Sequence, residues 1–222
     1  MINAREVSLR YQDKTLALSD VNLEIRQGEL VYITGPSGSG KTSLLKLFLG
    51  MEYATSGTLT VLGQRMRKRE SRRIRKLRRK IGPVFQEFKL IEGRTALENV
   101  MTGMRFLGVR PRRMRLEASA ALEKVGLGHK KFSLVEKLSW GEAQRVAIAR
   151  AVARKPKLIL ADEPTGNLDH ENALHILELL RSFKDTDTTV IITTHATHLI
   201  EEEQNATFLH VDGGKITVER RD

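Results

Sequence analysis

The chain has 222 residues, of which 40% are hydrophobic and 29% charged, the balance of an ordinary globular protein; it is too long for a miniature scaffold and too apolar for a disordered one. No cysteine is present, which excludes disulfides, thiolate metal sites and cysteine nucleophiles. The formal net charge of +11 comes almost wholly from Arg65 to Lys80, where eleven Lys or Arg accompany one acid, so the basicity belongs to one segment.

Taken in order, Val7 and Leu9, then Val21, Leu23 and Ile25, alternate with polar residues and predict antiparallel strands that close at Gln27-Gly28. Leu30 to Thr34 is a short apolar run expected of a strand buried on both faces. A glycine-rich turn and a helix over Lys41 to Leu49 follow, with Gly50 as the stop. Helical spacing returns at Ala118, Ala121, Leu122 and Val125, and again at Val146, Ala149 and Ala153. Leu158 to Ala161 and Thr189 to Thr193 read as two more buried strands. Phe208 to Val211 and Ile216 to Val218, joined through Gly213-Gly214, predict a terminal hairpin. Buried strands alternating with helices imply an α/β fold with a mainly parallel sheet. The expected organisation is a single domain: antiparallel β over 1–30, a core from 31–90 and 155–222, and an inserted helical part over approximately 91–154. No run approaches the roughly 18 apolar residues that span a bilayer, and the first six residues lack the apolar core of a signal peptide, so the chain is expected at the cytoplasmic side.

Gly35-Pro36-Ser37-Gly38-Ser39-Gly40-Lys41-Thr42 satisfies G-x-x-x-x-G-K-[ST] between a buried strand and a helix, where a phosphate-binding loop must lie. The glycines let successive N–H groups face phosphate oxygens, Lys41 reaches the β- and γ-phosphates, and the Thr42 hydroxyl suits Mg²⁺; Ser43 continues the helix beside them. Asp162 and Glu163 stand directly after a buried strand, which is costly without a cation or ligand there. Asp162 is placed to hold Mg²⁺ through water and Glu163 to polarise an attacking water. Ser139 and Glu142 have capping-box spacing, so a helix with exposed N–H groups should begin there.

With these motifs in this order, the chain resembles the ATP-binding cassette (ABC) ATPases over essentially its whole length; Leu138-Ser139-Trp140-Gly141-Glu142 is similar to the LSGGQ signature. The resemblance implies a phosphate-loop NTPase that uses ATP and Mg²⁺. It also implies a homodimer in which Ser139, Gly141 and Glu142 of one copy face the ATP held by the other. It further implies that Tyr11 stacks on adenine and that Gln86 contacts Mg²⁺ and the attacking water and senses a membrane partner. Asp169, in the loop after Pro164-Thr165-Gly166-Asn167, would cross the dimer interface, and His195 would bond the γ-phosphate. Taken alone, Tyr11 reads as a half-buried strand residue, Gln86 as an ordinary loop amide and His195 as a satisfied strand-end histidine. Trp140, Ala143 and Ala196 depart from the family pattern; Trp140 would slow closure if its bulk met the partner subunit.

Ala161 to Asp169 and Phe85 to Leu90 are similar to the subgroup that unites cell-division ATPases with lipoprotein and macrolide exporters, and the overall length, Leu77 to Gly82 and Arg94 to Val100 favour the cell-division branch. That implies an integral membrane partner and a position at the cytoplasmic face of the membrane; the alternatives are an exporter ATPase or a soluble ABC ATPase acting on nucleic acid or ribosomes. For Arg65 to Lys80 the readings are a solvated face, contact with anionic lipid through Arg72, Arg73, Arg75, Arg78 and Arg79, and nucleic acid; the last is disfavoured because stacking aromatics are absent from the segment.

Overall fold

The computed structural model describes residues 1–221. The chain divides into two units, Met1–Arg78 with Lys184–Asp222, and Arg79–Phe183; strands and helices are numbered here in chain order.

In the first unit, β1 (Ile2–Arg10) pairs antiparallel with β2 (Leu16–Ile25) and β4 (Ser56–Val61), and β5 (Gln64–Arg65) completes a sheet of order β2-β1-β4-β5. The alternation seen in the sequence is the inward face: Ile2, Ala4, Val7 and Leu9 of β1 and Leu18, Val21, Leu23 and Ile25 of β2 are all buried. The second layer centres on β3 (Leu30–Thr34), every residue of which is buried. β3 runs parallel to β8 (Thr189–Thr193) on one side and to β9 (Ala206–Asp212) on the other, and β10 (Lys215–Arg221) returns antiparallel to β9. The rings of Tyr32 and Phe208 stack at 5.5 Å between centroids across the β3–β9 pair. Helix α1 (Lys41–Leu49) follows the glycine turn and ends at Gly50 in left-handed conformation, as the sequence predicts.

Two elements of this unit have no sequence expectation behind them, the β4–β5 hairpin and helix α2 (Ser71–Arg78), which lies inside the basic run. Only Ile74 and Leu77 of α2 are buried, and its outward arc is arginine and lysine. Arg78 is not part of that solvated face. Its Nε donates to the Leu49 carbonyl at 2.8 Å and its Nη2 to the Gly50 carbonyl at 2.6 Å, so it satisfies the C-terminal end of α1. The expectation that Arg78 meets anionic lipid alongside Arg72, Arg73, Arg75 and Arg79 does not hold, because its guanidinium is engaged at this helix end.

In the second unit, β6 (Ile81–Val84) pairs parallel with β7 (Leu158–Ala161) in the register Ile81↔Leu158 to Val84↔Ala161. The expected helical stretch comprises α3 (Ala96–Thr102), α4 (Pro111–Lys124) and α5 (Trp140–Val152), followed after β7 by α6 (His170–Arg181). Thr95 and Glu98 form a capping box at α3, and Pro111 occupies the start of α4, where its missing N–H costs nothing. A Cβ on Gly82 would lie 2.8 Å from the Ala151 carbonyl oxygen, so glycine in β6 is what lets α5 approach this closely. Among the described residues, no helix is long and apolar enough to cross a membrane.

Candidate functional site

Most of the groups assigned to the nucleotide lie at one end of β3 in the first unit. The loop from Gly35 to Gly40 carries positive φ at Gly35, Gly38 and Gly40. Two of these positions allow no side chain: a Cβ on Gly35 would sit 2.1 Å from the Val211 carbonyl oxygen, and one on Gly40 2.5 Å from that of Ala17. Lys41 is buried and its Nζ donates to the carbonyls of Gly35 at 2.8 Å and Pro36 at 3.0 Å, which centres the ammonium over the loop. The buried Ser39 hydroxyl has no hydrogen-bond partner, as expected of a polar atom that a phosphate group satisfies. Pro36, Ser37 and Gly38 form the exposed tip, and Thr42 is exposed on the first turn of α1.

Tyr11 and His195 are brought to the same loop. The Tyr11 hydroxyl is 3.0 Å from that of Ser43, in the first turn of α1. His195 is exposed two residues beyond β8, and the Thr194 N–H donates to the Ile33 carbonyl at 3.0 Å, so the ends of β3 and β8 are level where the loop begins.

The second unit carries the acids, Gln86 and the signature helix. Asp162 and Glu163 leave the C-terminal end of β7, and the Asp162 N–H donates to the Val84 carbonyl at 2.9 Å, which keeps β6 and β7 paired up to the point where Gln86 emerges. Both acids are half-buried. Glu163 holds left-handed backbone, φ 45°, and its carbonyl accepts from the Gly166 N–H at 3.2 Å in a tight turn. Such backbone in a non-glycine residue costs free energy and collects at functional sites. The Gln86 amide lies over that turn: a Cβ on Gly166 would be 4.0 Å from Gln86 Nε2 and 3.4 Å from the Glu163 carbonyl oxygen.

Ser139 caps α5 by accepting from the Glu142 N–H at 3.3 Å, while Glu142 Oε2 accepts from the Ser139 N–H at 2.9 Å. Glu142 Oε1 also accepts from Lys130 Nζ at 2.5 Å, and these two donors, the ammonium first, hold its carboxyl below the ordinary glutamate range. Both oxygens of Glu142 are therefore engaged in fixing the helix start, and Gly141 remains half-exposed on its first turn. Asp169 likewise caps α6, its Oδ1 accepting from the Asn172 N–H at 2.9 Å, which lowers its pKa.

Lys130, Phe88 and Arg150 were not among the sequence-predicted residues. Arg150 of α5 donates to the carbonyls of Phe88 and Lys89, and the Trp140 ring packs on that of Phe88. None of these contacts has a local signal, because the partners are distant along the chain. Among the described residues, no group of three or more His, Cys, Asp or Glu side chains is arranged to hold a metal. The donors assigned to Mg²⁺ are a hydroxyl, an amide and one carboxylate, a set that suits an ion which keeps waters and phosphate oxygens in its shell.

A glycine loop wound around a buried lysine at a strand-to-helix junction, with paired acids ending a parallel strand, defines a phosphate-loop nucleotide-binding protein. Compared with known proteins, residues 18–166 match the family described as ABC transporter. The chain is 42% identical over 202 residues to the cell division ATP-binding protein FtsE of Mycobacterium tuberculosis, covering 90% of this chain and 88% of that one. Among solved structures, it is similar to the dimeric ATP-binding cassette MJ0796 in a post-hydrolysis state bound to ADP and Pi, with TM-score 0.89, 33% identity and coverage of 100% and 99%. It is also similar to cbiO1 of Clostridium perfringens, described as part of the ABC transporter complex cbiONQ, with TM-score 0.86, 29% identity and coverage of 97% and 86%. The chain belongs to the ABC transporter family and is an ATP-binding ATPase of that family. The resemblance and the α/β cassette fold read from the sequence are both borne out.

Proposed function

We propose that the chain is the ATP-hydrolysing subunit of a membrane complex of the cell-division FtsE type, working as a homodimer at the cytoplasmic face of the membrane. The observation that carries the reading is the loop from Gly35 to Thr42 closed around Lys41, with the Ser39 hydroxyl buried and unpartnered inside it. Likeness of 42% to an FtsE supports the subgroup, and the named assemblies of the dimeric cassette and of cbiO1 support a second copy and a membrane subunit.

In this reading Tyr11 stacks on adenine, and the loop's N–H groups and Lys41 bind the phosphates. Thr42, Gln86 and Asp162 would hold Mg²⁺, which supplies positive charge against the β- and γ-phosphate oxygens when bound. Glu163 accepts a hydrogen bond from a water aligned with the γ-phosphate and so polarises it, and His195 donates to that phosphate. Ser139 and Gly141 of a second copy offer the start of α5 to the same phosphate, while Asp169 borders the two copies. Positioning and electrostatics supply the rate. Loss of the bridging charge on hydrolysis lets the copies part, and a membrane protein docked near Gln86 is moved by that cycle. The outward cations of α2 attract anionic lipid, at about 1 kcal/mol per basic residue near a surface.

Glu163→Gln tests the assignment. The variant is expected to bind ATP, release no phosphate and accumulate as a dimer in size-exclusion chromatography with Mg²⁺ and ATP; phosphate release at the parental rate would refute it. Copurification from detergent-solubilised membranes, with identification of the attached protein, tests the membrane partner.

A further inference from the structure

Phe88 and Lys89, two and three residues after Gln86, both hold left-handed backbone, with φ 56° and 51°. Neither is glycine, so the pair needs outside support to keep this shape. Helix α5 gives that support at two points. Arg150 donates Nη1 to the Lys89 carbonyl at 2.6 Å and Nη2 to the Phe88 carbonyl. Ten residues earlier on the same helix, the Trp140 ring packs on the Phe88 ring with centroids 4.6 Å apart and planes at 58°. Phe88 is 8% exposed and Trp140 46%, so the contact lies on the covered part of a half-exposed Trp140 ring.

Trp140 stands where the LSGGQ signature has its first glycine, and a glycine cannot make this contact. Its side chain is spent on the chain's own Gln86 loop. We propose that Trp140 is a positioning residue for ATP hydrolysis. Through Phe88 it holds the loop that places Gln86 over the Glu163–Gly166 turn, so the start of the signature helix and the Gln86 loop shift together. The proposal rests on the role given to Gln86 above.

The test uses the full chain with Mg²⁺ and ATP in steady state. Trp140→Ala and Phe88→Ala are each expected to lower kcat about two- to tenfold, the range an aromatic pair supports, with KM for ATP changed less than about twofold. Trp140→Phe keeps a ring on Phe88 and should stay within about twofold of the parent. The double variant Trp140→Ala/Phe88→Ala should be no slower than the slower single variant, and Trp140→Ala should cost nothing further in a Gln86→Ala background. Multiplying losses in either cycle, or a parental kcat for Trp140→Ala, would overturn the proposal.

A second readout needs no turnover and leaves Trp140 intact. Trp140 is the chain's single tryptophan, so its emission should shift to the red in Phe88→Ala and hold near its parental position in Phe88→Leu, which keeps apolar bulk. An unchanged spectrum in Phe88→Ala would also overturn the proposal. Should Glu163→Gln still release phosphate, the functional reading itself fails; should it release none while the cycles multiply, only the role of Trp140 fails.

Discussion

The hydroxyls of Tyr11 and Ser43 lie 3.0 Å apart, which ties the turn after β1 to the first turn of α1. The bond explains how a tyrosine from an edge turn is held beside a phosphate loop that begins 24 residues later in the sequence. If the ring is what meets the nucleotide, its loss and the loss of its hydroxyl have different sizes. Tyr11→Phe should weaken binding of a fluorescent ATP analogue by less than about threefold, since the part-buried Tyr11–Ser43 bond joins two protein groups and falls at the low end, about 0.5 kcal/mol, of a neutral hydrogen bond. Tyr11→Ala should weaken it about tenfold or more, since base–aromatic stacking contributes about 1–3 kcal/mol. Equal losses would assign the role to the hydroxyl instead of the ring.

Gly40 and Gly38 form a matched pair within one loop. Both have positive φ, 116° and 78°, but a Cβ on Gly40 meets the Ala17 carbonyl at 2.5 Å whereas one on Gly38 has no atom within 4 Å. Gly38→Ala should therefore cost only the conformational penalty, about 1–2 kcal/mol. Gly40→Ala adds a backbone collision and should cost more than about 3 kcal/mol, with loss of nucleotide binding. Denaturant unfolding and analogue titration on both variants check the order.

The arginines of the basic run separate into one that holds the fold and several that face water. Arg78→Ala removes two charge-assisted bonds to the end of α1 and should destabilise by about 1.5–3 kcal/mol in urea unfolding. Replacing Arg72, Arg75 and Lys76 by Gln should change stability by less than about 0.5 kcal/mol per site. The same triple variant should cosediment less with vesicles containing anionic lipid at low salt; undiminished cosedimentation would remove lipid contact from the functional reading.

Glu142 gives the start of α5 a pH dependence whose sign is fixed by its partners. Lys130 and the Ser139 N–H depress its folded pKa below the ordinary value of 4.5. Its charge therefore stabilises the fold above the unfolded pKa, and that contribution disappears as pH falls through the folded value. The stability gap between the parent and Glu142→Gln should be present at neutral pH and close on acidification from about pH 4.5 downward, followed by denaturant midpoints. A gap that widened on acidification would contradict the assignment.

The strands at Leu30–Thr34, Leu158–Ala161 and Thr189–Thr193 were legible because burial on both faces leaves an uninterrupted apolar run, and α1 because glycines punctuate both its ends. β4 was not, since only Leu59 and Val61 of its six residues are buried and Ser56-Gly57-Thr58 hides the alternation. α2 was hidden by charge: two apolar residues among eight give too little period to see. The chemistry was legible because the phosphate loop, the acid pair and the capping box are each local. What locality cannot carry is the grip of Arg150 and Trp140 on Phe88, made between side chains and backbone more than fifty residues apart, or the backbone of Glu163, which no side-chain pattern encodes.

That backbone sets durability against turnover. At φ 45° Glu163 occupies a conformation that glycine would adopt without strain, so the residue assigned to the water is also one that holds strained backbone. A laboratory selection for heat resistance alone can relieve that strain only by removing the carboxylate, so any such campaign has to screen phosphate release alongside melting.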